Sequence, residues 1–282
     1  MNKIKNNITW FTRIINENIN NEINNSICID FDESNDITIM SFNIRRDAVK
    51  DKMNNWQYRK EAIVQMICDV KPDIICMQEV MPHMAKYLKS QLCKYYDCCG
   101  LECFTGQELT KSLCVVGEGL LTLYRKDRFL LKSSNKIKLF DGRKINVRRA
   151  FCTKLWDCYT QHSLSVINTH FCHKSNDARY KSFQKLKSHY QNDDSFLYFV
   201  CGDFNCQINQ FESGIQIFKD LFTYNKPDSE GTINYFSNAS GKTIDFIFSN
   251  HAISDNYVLR TSYNNRKFLS DHWPIINIYK KV

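Results

Sequence analysis

Short and strongly apolar segments recur along this chain, and many of them end in a carboxylate, an amide or an imidazole. Asn43 ends ITIMSFN, Glu79 ends DIICMQE, and Asp203 follows FLYFVCG. Strand ends are where a rigid sheet presents side chains to a shared cleft. A carboxylate beside a buried strand must be hydrogen-bonded, paired or metal-bound, because desolvating the charge alone is very costly. The pattern therefore predicts a β-rich fold whose polar strand ends meet at one place.

Helical and extended segments alternate over most of the chain. The first helix is predicted to start at Asn54 or Asn55 as its N-cap and to stop at Lys71-Pro72. Helices are predicted over 56–70, 82–93, 176–190 and 211–222. Strands are predicted over 36–43, 73–79, 119–125, 129–139, 149–157, 163–169, 196–201, 243–249 and 273–279. Strands interspersed with covering helices indicate a layered α/β protein in which many neighbouring strands are antiparallel.

Residues 1–35 differ in composition from the rest, because they are rich in Asn and Ile and contain neither Pro nor Gly. A short amphipathic helix is predicted there from apolar residues at helical spacing, namely Ile8, Phe11, Ile15 and Ile19. A docking extension or partly ordered tail is favoured over a membrane anchor, because the polar face is Asn rather than Lys or Arg. Segment 26–31 is predicted to pair with 36–43 as a hairpin. Residues 36–282 are predicted to form one domain.

Length and charge restrict the class of protein further. A chain of 282 residues is long enough for one sandwich or barrel domain with a sizeable core. No internal repeat or low-complexity linker divides it. The formal net charge of +8 suits a polyanionic partner such as nucleic acid or an anionic headgroup. It is also an ordinary surface charge, and the sequence leaves both interpretations open.

Cysteine usage and hydropathy bear on the compartment. The 13 cysteines are odd in number, and the group from Cys93 to Cys103 has no CxxC pair that would indicate a zinc knuckle. A reducing, intracellular location is therefore expected, either cytoplasmic or nuclear. No apolar run approaches the roughly 18 residues needed to span a bilayer, and the N-terminus lacks a signal-peptide core. We expect a soluble protein without a membrane span.

Each polar strand end also has a purely structural interpretation. Asn43 can cap a turn, and Glu79 can cap the helix that follows Met81-Pro82. The GDFN segment at 202–205 can form an Asx turn, and SDH at 270–272 can be an N-cap. Their joint occurrence at strand ends across the whole chain favours a functional site.

A set of motifs from Asp36 to Tyr279 resembles the endonuclease/exonuclease/phosphatase family of metal-dependent phosphoesterases, which includes apurinic endonucleases and deoxyribonuclease-type enzymes. The motifs are SFNIR (41–45), NNWQYRK (54–60), PDIICMQEV (72–80), GEGLLTLYRKDRF (117–129), NTH (168–170), CGDFN (201–205), TIDFIF (243–248) and SDHWPI (270–275). The resemblance implies a four-layer α/β sandwich. In that fold, two mixed and mostly antiparallel sheets pack face to face with helices outside. It also implies that 36–282 is the catalytic domain.

The resemblance implies a metal site and a residue that acts on water. Glu79 matches the family's principal magnesium ligand, Asn43 lies beside it, and Asp271 is a candidate further ligand. Mg²⁺ is the implied cofactor, with Mn²⁺ as a substitute, and it prefers oxygen ligands and substrate phosphate. Asp203 matches the residue that orients or deprotonates the attacking water, or that serves as another metal ligand.

The resemblance also implies a set of groups around the phosphate. Asn205 would hydrogen-bond the phosphate as its geometry changes, and His170 would be a second phosphate donor. His272 would contact a non-bridging oxygen, while Asp245 would fix its imidazole and help to protonate it. The protein would then supply chiefly placement and electrostatics.

Two arginines and a glutamate match further positions of the pattern. Arg149 stands where related sequences carry a donor near the phosphate, and Arg148 is equally available. Glu118 and Arg179 also match, with a helix-surface salt bridge as the alternative for Arg179.

Uncharged residues complete the candidate site. Asn168 is placed at the substrate by the NTH motif. Trp273 and Trp56 are candidates for stacking on a base or sugar, with core or rim packing as the alternative. His173 either lines the pocket or is an ordinary loop residue.

The leading hypothesis is a monomeric nuclease or related phosphodiesterase acting on nucleic acid, because basic residues cluster in 125–154 and 174–187. TIDFIF lacks the Pro and Trp of the inositol polyphosphate 5-phosphatase branch, whereas SFN leaves a tyrosyl-DNA phosphodiesterase open. Small-molecule, sugar-phosphate and lipid substrates are the alternatives. A non-catalytic binding module would have lost residues such as Glu79, Asp203 or His272, and all three are present.

Overall fold

The computed structural model describes residues 36–100, 117–140, 148–226, 229–237, 241–260 and 262–280. Its strands are β1 (Ile37–Asn43), β2 (Ile74–Val80), β3 (Tyr96–Gly100), β4 (Gly119–Arg125), β5 (Phe129–Phe140), β6 (Arg148–Asp157), β7 (His162–His170), β8 (Leu197–Asp203), β9 (Thr223–Tyr224), β10 (Asp245–Ser249), β11 (Asp255–Val258) and β12 (Ile275–Tyr279). Its helices are α1 (Trp56–Val70), α2 (Pro82–Leu92), α3 (Asn176–Gln191) and the single turn α4 (Gln216–Lys219). Short 3₁₀ turns form at Val49–Asn54 and Phe211–Ser213.

The strands form two six-stranded sheets. The first has the order β11-β12-β1-β2-β4-β3, and the second has the order β5-β6-β7-β8-β10-β9. The β1–β2 and β7–β8 pairs are parallel, and the other neighbours are antiparallel. Each parallel pair is joined through a helix, α1 in the first sheet and α3 in the second. Such a crossover is what a parallel connection needs.

Alternation along the central strands divides the apolar residues into layers. Ile37 and Ile39 of β1 lie in the core between the two sheets, while Met40 and Phe42 pack outward with residues of α1 and α2. Successive side chains of a strand point to opposite faces of the sheet, so one central strand contributes apolar residues both to the layer between the sheets and to the layer under the helices. Helix α3 covers the second sheet through a Phe-rich layer. The predicted four-layer α/β sandwich is therefore confirmed.

Helix α1 begins and ends as the sequence predicts. The side chain of Asn55 accepts a hydrogen bond from the backbone N–H of Gln57, so Asn55 is the N-cap. Lys71 adopts the left-handed conformation at the C-cap, and Pro72 follows. The buried face carries mostly apolar residues together with Arg59.

The predicted helix over 211–222 is wrong. The segment forms the 3₁₀ turn Phe211–Ser213 and then the one-turn helix α4, because Gly214 has a φ of 84° that interrupts helical geometry. A Cβ at Gly214 would also approach the ring of Tyr180 to 2.7 Å.

Three short edge strands, β3, β9 and β11, were not predicted. Their sequences, YDCCG, TY and DNYV, contain too few apolar residues in alternation to signal a strand. The strand at 243–249 is shorter than predicted, because β10 starts at Asp245. The predicted helix in 1–35 and the strand at 26–31 lie outside the described residues. Within the described ranges, no helix has the length and apolar character needed to cross a membrane.

The topology brings the polar strand ends to one edge. The parallel strands β1 and β2 carry Asn43 and Glu79 at their carboxyl ends, and the parallel strands β7 and β8 end at His170 and Asp203. Strand β10 runs antiparallel to β8, so its first residue, Asp245, pairs with Asp203.

Candidate active site

Side chains from the two sheets meet through the amide of Asn43. Its Nδ2 atom donates to Oδ2 of Asp203 at 3.1 Å and to Oε1 of Glu79 at 3.3 Å. Its Oδ1 atom accepts from the backbone N–H of Arg45 at 3.0 Å. Asp203 belongs to the second sheet, whereas Asn43 and Glu79 belong to the first. The predicted convergence of distant strand ends is therefore present.

His272 lies between two carboxylates. Its Nδ1 atom is 2.9 Å from Oδ2 of Asp245, and its Nε2 atom is 3.9 Å from Oδ2 of Asp203. Burial disfavours protonation, but the charges of Asp245, Asp203 and Asp271 outweigh it and raise the pKa of His272 to about 10. The ring is therefore an imidazolium at neutral pH, held by Asp245 and directed towards Asp203.

Asp203 lies in the middle of the cluster. Burial and the neighbouring Asp245 raise the pKa of Asp203 to about 7, against the opposing effects of His272, the Asn205 N–H and Asn43. Nε2 of His170 is 3.5 Å from Oδ2 of Asp203. A carboxyl group with this pKa can accept or release a proton near neutrality.

His170 and Asn205 complete this side of the cluster. Burial, followed by the positive charges of Arg148, His272 and His173, lowers the pKa of His170 well below its usual value, so its ring is neutral. The Asn205 N–H donates to Oδ1 of Asp203 at 2.9 Å, and its Nδ2 donates to the carbonyl of Phe171 at 3.1 Å. Asn205 has a φ of 51°, so the chain turns sharply directly after β8.

Glu79 also has an unusual backbone, with a φ of 59°. Its Oε2 atom accepts from the N–H of Arg46 at 3.1 Å. Ligand atoms of Glu79, Glu118 and His170 lie within 4.8 Å of one another. Burial and then the charge of Glu79 raise the pKa of Glu118, while Arg148 and Arg46 act in the opposite direction. Two carboxylates this close favour an added positive charge.

A small pocket opens beside this pair of carboxylates. Its lining residues are Glu118, Gly119, Leu120, Arg148, Arg149 and His170. Nη1 of Arg148 is 3.4 Å from Oε1 of Glu118. Both arginines considered as phosphate donors therefore lie at the pocket.

Asp271 approaches the cluster from the loop before β12. Its Oδ2 atom is 3.3 Å from Nη1 of Arg45, and its Oδ1 atom accepts from the hydroxyl of Ser270 at 3.3 Å. Burial raises the pKa of Asp271 despite the opposing charges of His272 and Arg45. Arg45 is anchored in turn by Asp51 at 2.9 Å.

The donor set suits a hard divalent cation. Carboxylates of Glu79, Glu118 and Asp271 and the amide oxygen of Asn43 are oxygen donors of the kind that such cations prefer. Burial is the largest cause of the raised pKa values of Glu118 and Asp271, and the charge of Glu79 adds to it in both cases. Asp203, Asp245 and His272 form a second group whose ligand atoms lie within 4.8 Å of one another.

Two predicted substrate residues, Asn168 and Arg179, make their hydrogen bonds inside the protein. Asn168 is fully buried, and its Nδ2 donates to the carbonyls of Met77 and Leu121, both at 3.1 Å. It therefore links the second sheet to the first. Arg179 is buried, and it donates to the carbonyl of Cys172 at 2.6 Å and to the side chain of Asn176.

The two tryptophans also pack inside the protein. Trp273 is buried against Phe268, with ring centroids 5.4 Å apart. Trp56 is buried edge-on against Tyr87 at 6.0 Å. These contacts match the packing alternative stated for both residues.

Arg59 and Thr232 support the site and were not singled out from the sequence. The Arg59 guanidinium donates to the carbonyls of Asn54, Ile44, Leu269 and Arg45 at 2.6–3.0 Å. Thr232 donates its hydroxyl to Oδ2 of Asp245 at 2.6 Å. For Arg59 a signal existed, because the spacing of Trp56, Arg59 and Ile63 places the arginine on the buried face of α1.

The fold and the site together define an α/β sandwich with a carboxylate and imidazole centre at one sheet edge. The model of the endonuclease/exonuclease/phosphatase family matches residues 40–272, and the chain belongs to this family of phosphoester hydrolases. A comparison with curated proteins found no significant match.

Solved structures share the fold. An endonuclease/exonuclease/phosphatase from Bacteroides vulgatus is 26% identical, with a TM-score of 0.75, and the match covers 88% of this chain and 99% of that one. A mannosyl-6-phosphatase from Bacteroides thetaiotaomicron is 22% identical, with a TM-score of 0.72 and coverage of 86% and 98%. D. rerio TDP2, complexed with a single-strand DNA product, is 16% identical, with a TM-score of 0.69 and coverage of 87% and 99%.

Proposed function

We propose that this protein is a magnesium-dependent phosphodiesterase that hydrolyses nucleic acid, with residues 36–282 as its catalytic domain. The observation that carries the proposal is the convergence of Asn43, Glu79, Asp203 and His272 at one edge of the sandwich. A non-catalytic module has no reason to keep two carboxylates, an imidazolium and an amide together in a buried cluster, because each of these groups is costly to desolvate.

Metal binding is assigned to Glu79, Asn43 and Asp271. When bound, Mg²⁺ neutralises charge on the phosphate and increases the acidity of water. Asp203 orients the attacking water and accepts its proton, which suits a carboxyl group whose pKa is about 7. Asn43 aligns the metal ligand with the residue that orients water, because its amide donates to both Glu79 and Asp203.

The phosphate is assigned to the imidazoles and the asparagine. His272 donates from Nε2 to a non-bridging oxygen, and Asp245 keeps the ring protonated and oriented. Neutral His170 and the amide of Asn205 are further donors. Arg148 and Arg149 in the adjoining pocket stabilise a neighbouring phosphate. Asn168, Arg179 and Trp273 then act by positioning, through the contacts described above.

Nucleic acid is the substrate class that the charge of the protein supports. The net charge of +8 and the two adjacent arginines at the pocket, Arg148 and Arg149, suit a polyanionic backbone. All ten cysteines in the described ranges are free thiols, in keeping with action inside a reducing compartment. The sugar phosphatase and the DNA-bound TDP2 share this fold, so a sugar phosphate is the second candidate substrate.

A substrate panel with Mg²⁺ tests the proposal. The panel contains single- and double-stranded DNA and RNA, 5′-tyrosyl DNA, abasic duplex, inositol phosphates, sugar phosphates and sphingomyelin. We expect cleavage of at least one nucleic acid and loss of cleavage after chelation. Intact nucleic acids alongside hydrolysis of a sugar phosphate would refute the nuclease assignment and leave the phosphoesterase assignment standing.

Variants of the two central residues test the mechanism. Asp203→Ala and His272→Ala should each lower kcat by more than about a hundredfold. Circular dichroism must show that both variants stay folded. Near-normal turnover by either folded variant would refute its assigned role.

A further inference from the structure

Residues 232–236 run alongside the segment that carries His272. Ile233 forms an antiparallel bridge with His272, and the Trp273 N–H donates to the carbonyl of Thr232 at 2.7 Å. The N–H groups of Asn234 and Tyr235 both donate to the carbonyl of Asp271, at 2.7 and 3.1 Å. Tyr235 is therefore fixed next to a residue of the metal and phosphate site.

The backbone at this point is held in an uncommon conformation. Tyr235 and Phe236 are consecutive non-glycine residues, each with a φ of 55°. Such residues cost free energy and persist only where surrounding contacts enforce them, often at functional sites. Here Oδ1 of buried Asn234 accepts from the Phe236 N–H at 2.8 Å, and the Ser237 N–H donates to the carbonyl of Asn234 at 2.9 Å.

The two aromatic side chains have different surroundings. Phe236 packs over the buried guanidinium of Arg59, which lies 5.6 Å from its ring centroid. Tyr235 is 58% exposed. The strained pair therefore packs Phe236 against Arg59 as an anchor and leaves the ring of Tyr235 in solvent beside the site.

Other large apolar side chains are exposed on segments tied to the same arginine. Met53 is 64% exposed on the 3₁₀ turn Val49–Asn54, and the carbonyl of Asn54 accepts from Arg59. Tyr58 is 42% exposed, with the guanidinium of Arg266 at 5.5 Å from its ring centroid. These apolar groups lie beside the positive side chains of Arg59 and Arg266. Such a surface suits a ligand with a flat ring and a phosphate, such as a nucleotide, better than a ligand with an acyl chain.

We propose that Tyr235 is a substrate-binding residue that stacks on the nucleobase next to the scissile phosphate. The inference rests on the proposed function for the identity of the substrate. Stacking of a base on an aromatic side chain contributes binding energy with little dependence on base identity, because every base has a π-face. Tyr235 would thereby give preference for nucleotides over sugar phosphates while the phosphate groups bind elsewhere in the site.

Binding of a hydrolysis-resistant probe tests this without turnover. The probe is a fluorescein-labelled phosphorothioate pentadeoxyadenylate, compared with a pentamer of abasic phosphorothioate units, with Mg²⁺ and fluorescence anisotropy as the readout. We expect Tyr235→Ala to weaken binding of the adenylate probe about tenfold or more. Tyr235→Phe and Tyr235→Trp should bind like the original protein, and binding of the abasic probe should not change.

Tyr159→Ala is the matched control, because Tyr159 is 40% exposed on the turn that joins β6 to β7, at the opposite ends of those strands from His170. It should leave both affinities unchanged. Unchanged adenylate binding by Tyr235→Ala, or equal weakening of both probes, would overturn the inference. If the original protein binds the adenylate probe through Tyr235 but cleaves no nucleic acid, the proposed function fails and the stacking role stands.

Discussion

The protonated imidazole of His272 lies between two buried carboxylates. Asp203 and Asp245 are paired neighbours on β8 and β10, and His272 contacts both. Two buried carboxylates this close repel each other unless a proton or a cation lies between them. In the proposed mechanism the same arrangement supplies a hydrogen-bond donor for the phosphate and a carboxyl group, Asp203, whose pKa is about 7.

Replacing Asp245 by Asn should change the pH dependence of hydrolysis. In the proposed mechanism His272 acts as an imidazolium, so activity requires a pH below its pKa, which Asp245 raises. Without that charge the pKa falls, and the alkaline limb of kcat/KM should move to lower pH. The measurement is kcat/KM from pH 5 to 10.5, with Asp97→Asn as control, because Asp97 is an exposed residue of edge strand β3. An unmoved alkaline limb in Asp245→Asn would contradict the assignment.

Arg59 is a buried cation whose hydrogen bonds all go to backbone carbonyls in the described contacts. Burial lowers its pKa to about 10, partly offset by Asp271 and Asp51, so it stays charged at neutral pH. Arg59→Met leaves those carbonyls without a donor and should lower the free energy of unfolding by about 2–4 kcal/mol.

Urea unfolding followed by circular dichroism measures the Arg59→Met effect. Arg266→Met is the control, because Arg266 is half-buried and donates to the carbonyl of Met53. Its loss should stay near 1 kcal/mol or less. Equal losses of unfolding free energy in the two variants would show that Arg59 does not hold together the segments whose carbonyls it contacts.

At the scale of elements, Thr232 connects a loop to Asp245 and His272, the proposed catalytic pair. Its hydroxyl donates to Asp245 and accepts from the N–H groups of Ile244 and Asp245 at 3.1 and 3.2 Å. Thr232→Val keeps the shape but removes these bonds, so kcat should fall about tenfold or more while the protein stays folded. Thr160→Val is the control, because it loses a similar bond to buried Asp157 far from the site, and its kcat should be unchanged.

The apolar pattern predicted the long elements, because helix α1 has one buried face and the central strands are nearly continuous apolar runs buried on both faces. Helix α1 was placed over its observed range by its cap residue and apolar stripe. The failure at 211–222 arose because Gly214 needs a left-handed backbone that apolar spacing does not reveal. Edge strands β3 and β11 were not predicted, because an edge strand buries few side chains and needs no regular alternation of apolar and polar residues.

The candidate site was predicted where it lies on strands and missed where it lies in loops. Asn43, Glu79 and Asp203 follow apolar runs, so their position at a sheet edge can be deduced from the sequence. Thr232 and Tyr235 come from a loop whose path depends on contacts with residues 271–273, and no local pattern encodes that path.

At the scale of the whole molecule, Asn168 links the two sheets through buried hydrogen bonds. Asn168→Ala removes the buried hydrogen bonds to the carbonyls of Met77 and Leu121 and to the side chain of Gln78, which should cost about 2–4 kcal/mol of unfolding free energy. Asn250→Ala, which loses two bonds at an exposed position, should cost about 1 kcal/mol. KM should stay within about twofold in Asn168→Ala, whereas a large rise in KM with normal stability would restore a role in substrate binding.

Metal binding should stabilise the entire fold, because the crowded carboxylates repel in its absence. Mg²⁺ at about 100 times its Kd should add roughly 2.7 kcal/mol to the unfolding free energy and raise Tm. Glu79→Gln should abolish this increase, and Glu212→Gln, at an exposed residue of the 3₁₀ turn Phe211–Ser213, should retain it. Equal metal-induced shifts in both variants, measured by calorimetry with and without EDTA, would place the cation elsewhere.

Strand β12 lies in the interior of the first sheet, between β11 and β1, although its residues Ile275–Tyr279 come late in the chain. While a ribosome is still making the protein, one side of β1 has no partner until that stretch has emerged. The nascent polypeptide therefore carries an open strand edge that chaperones or neighbouring polypeptides can occupy. His272 is made just before β12, so the cluster of Asp203, Asp245 and His272 can form only once this late stretch has been added.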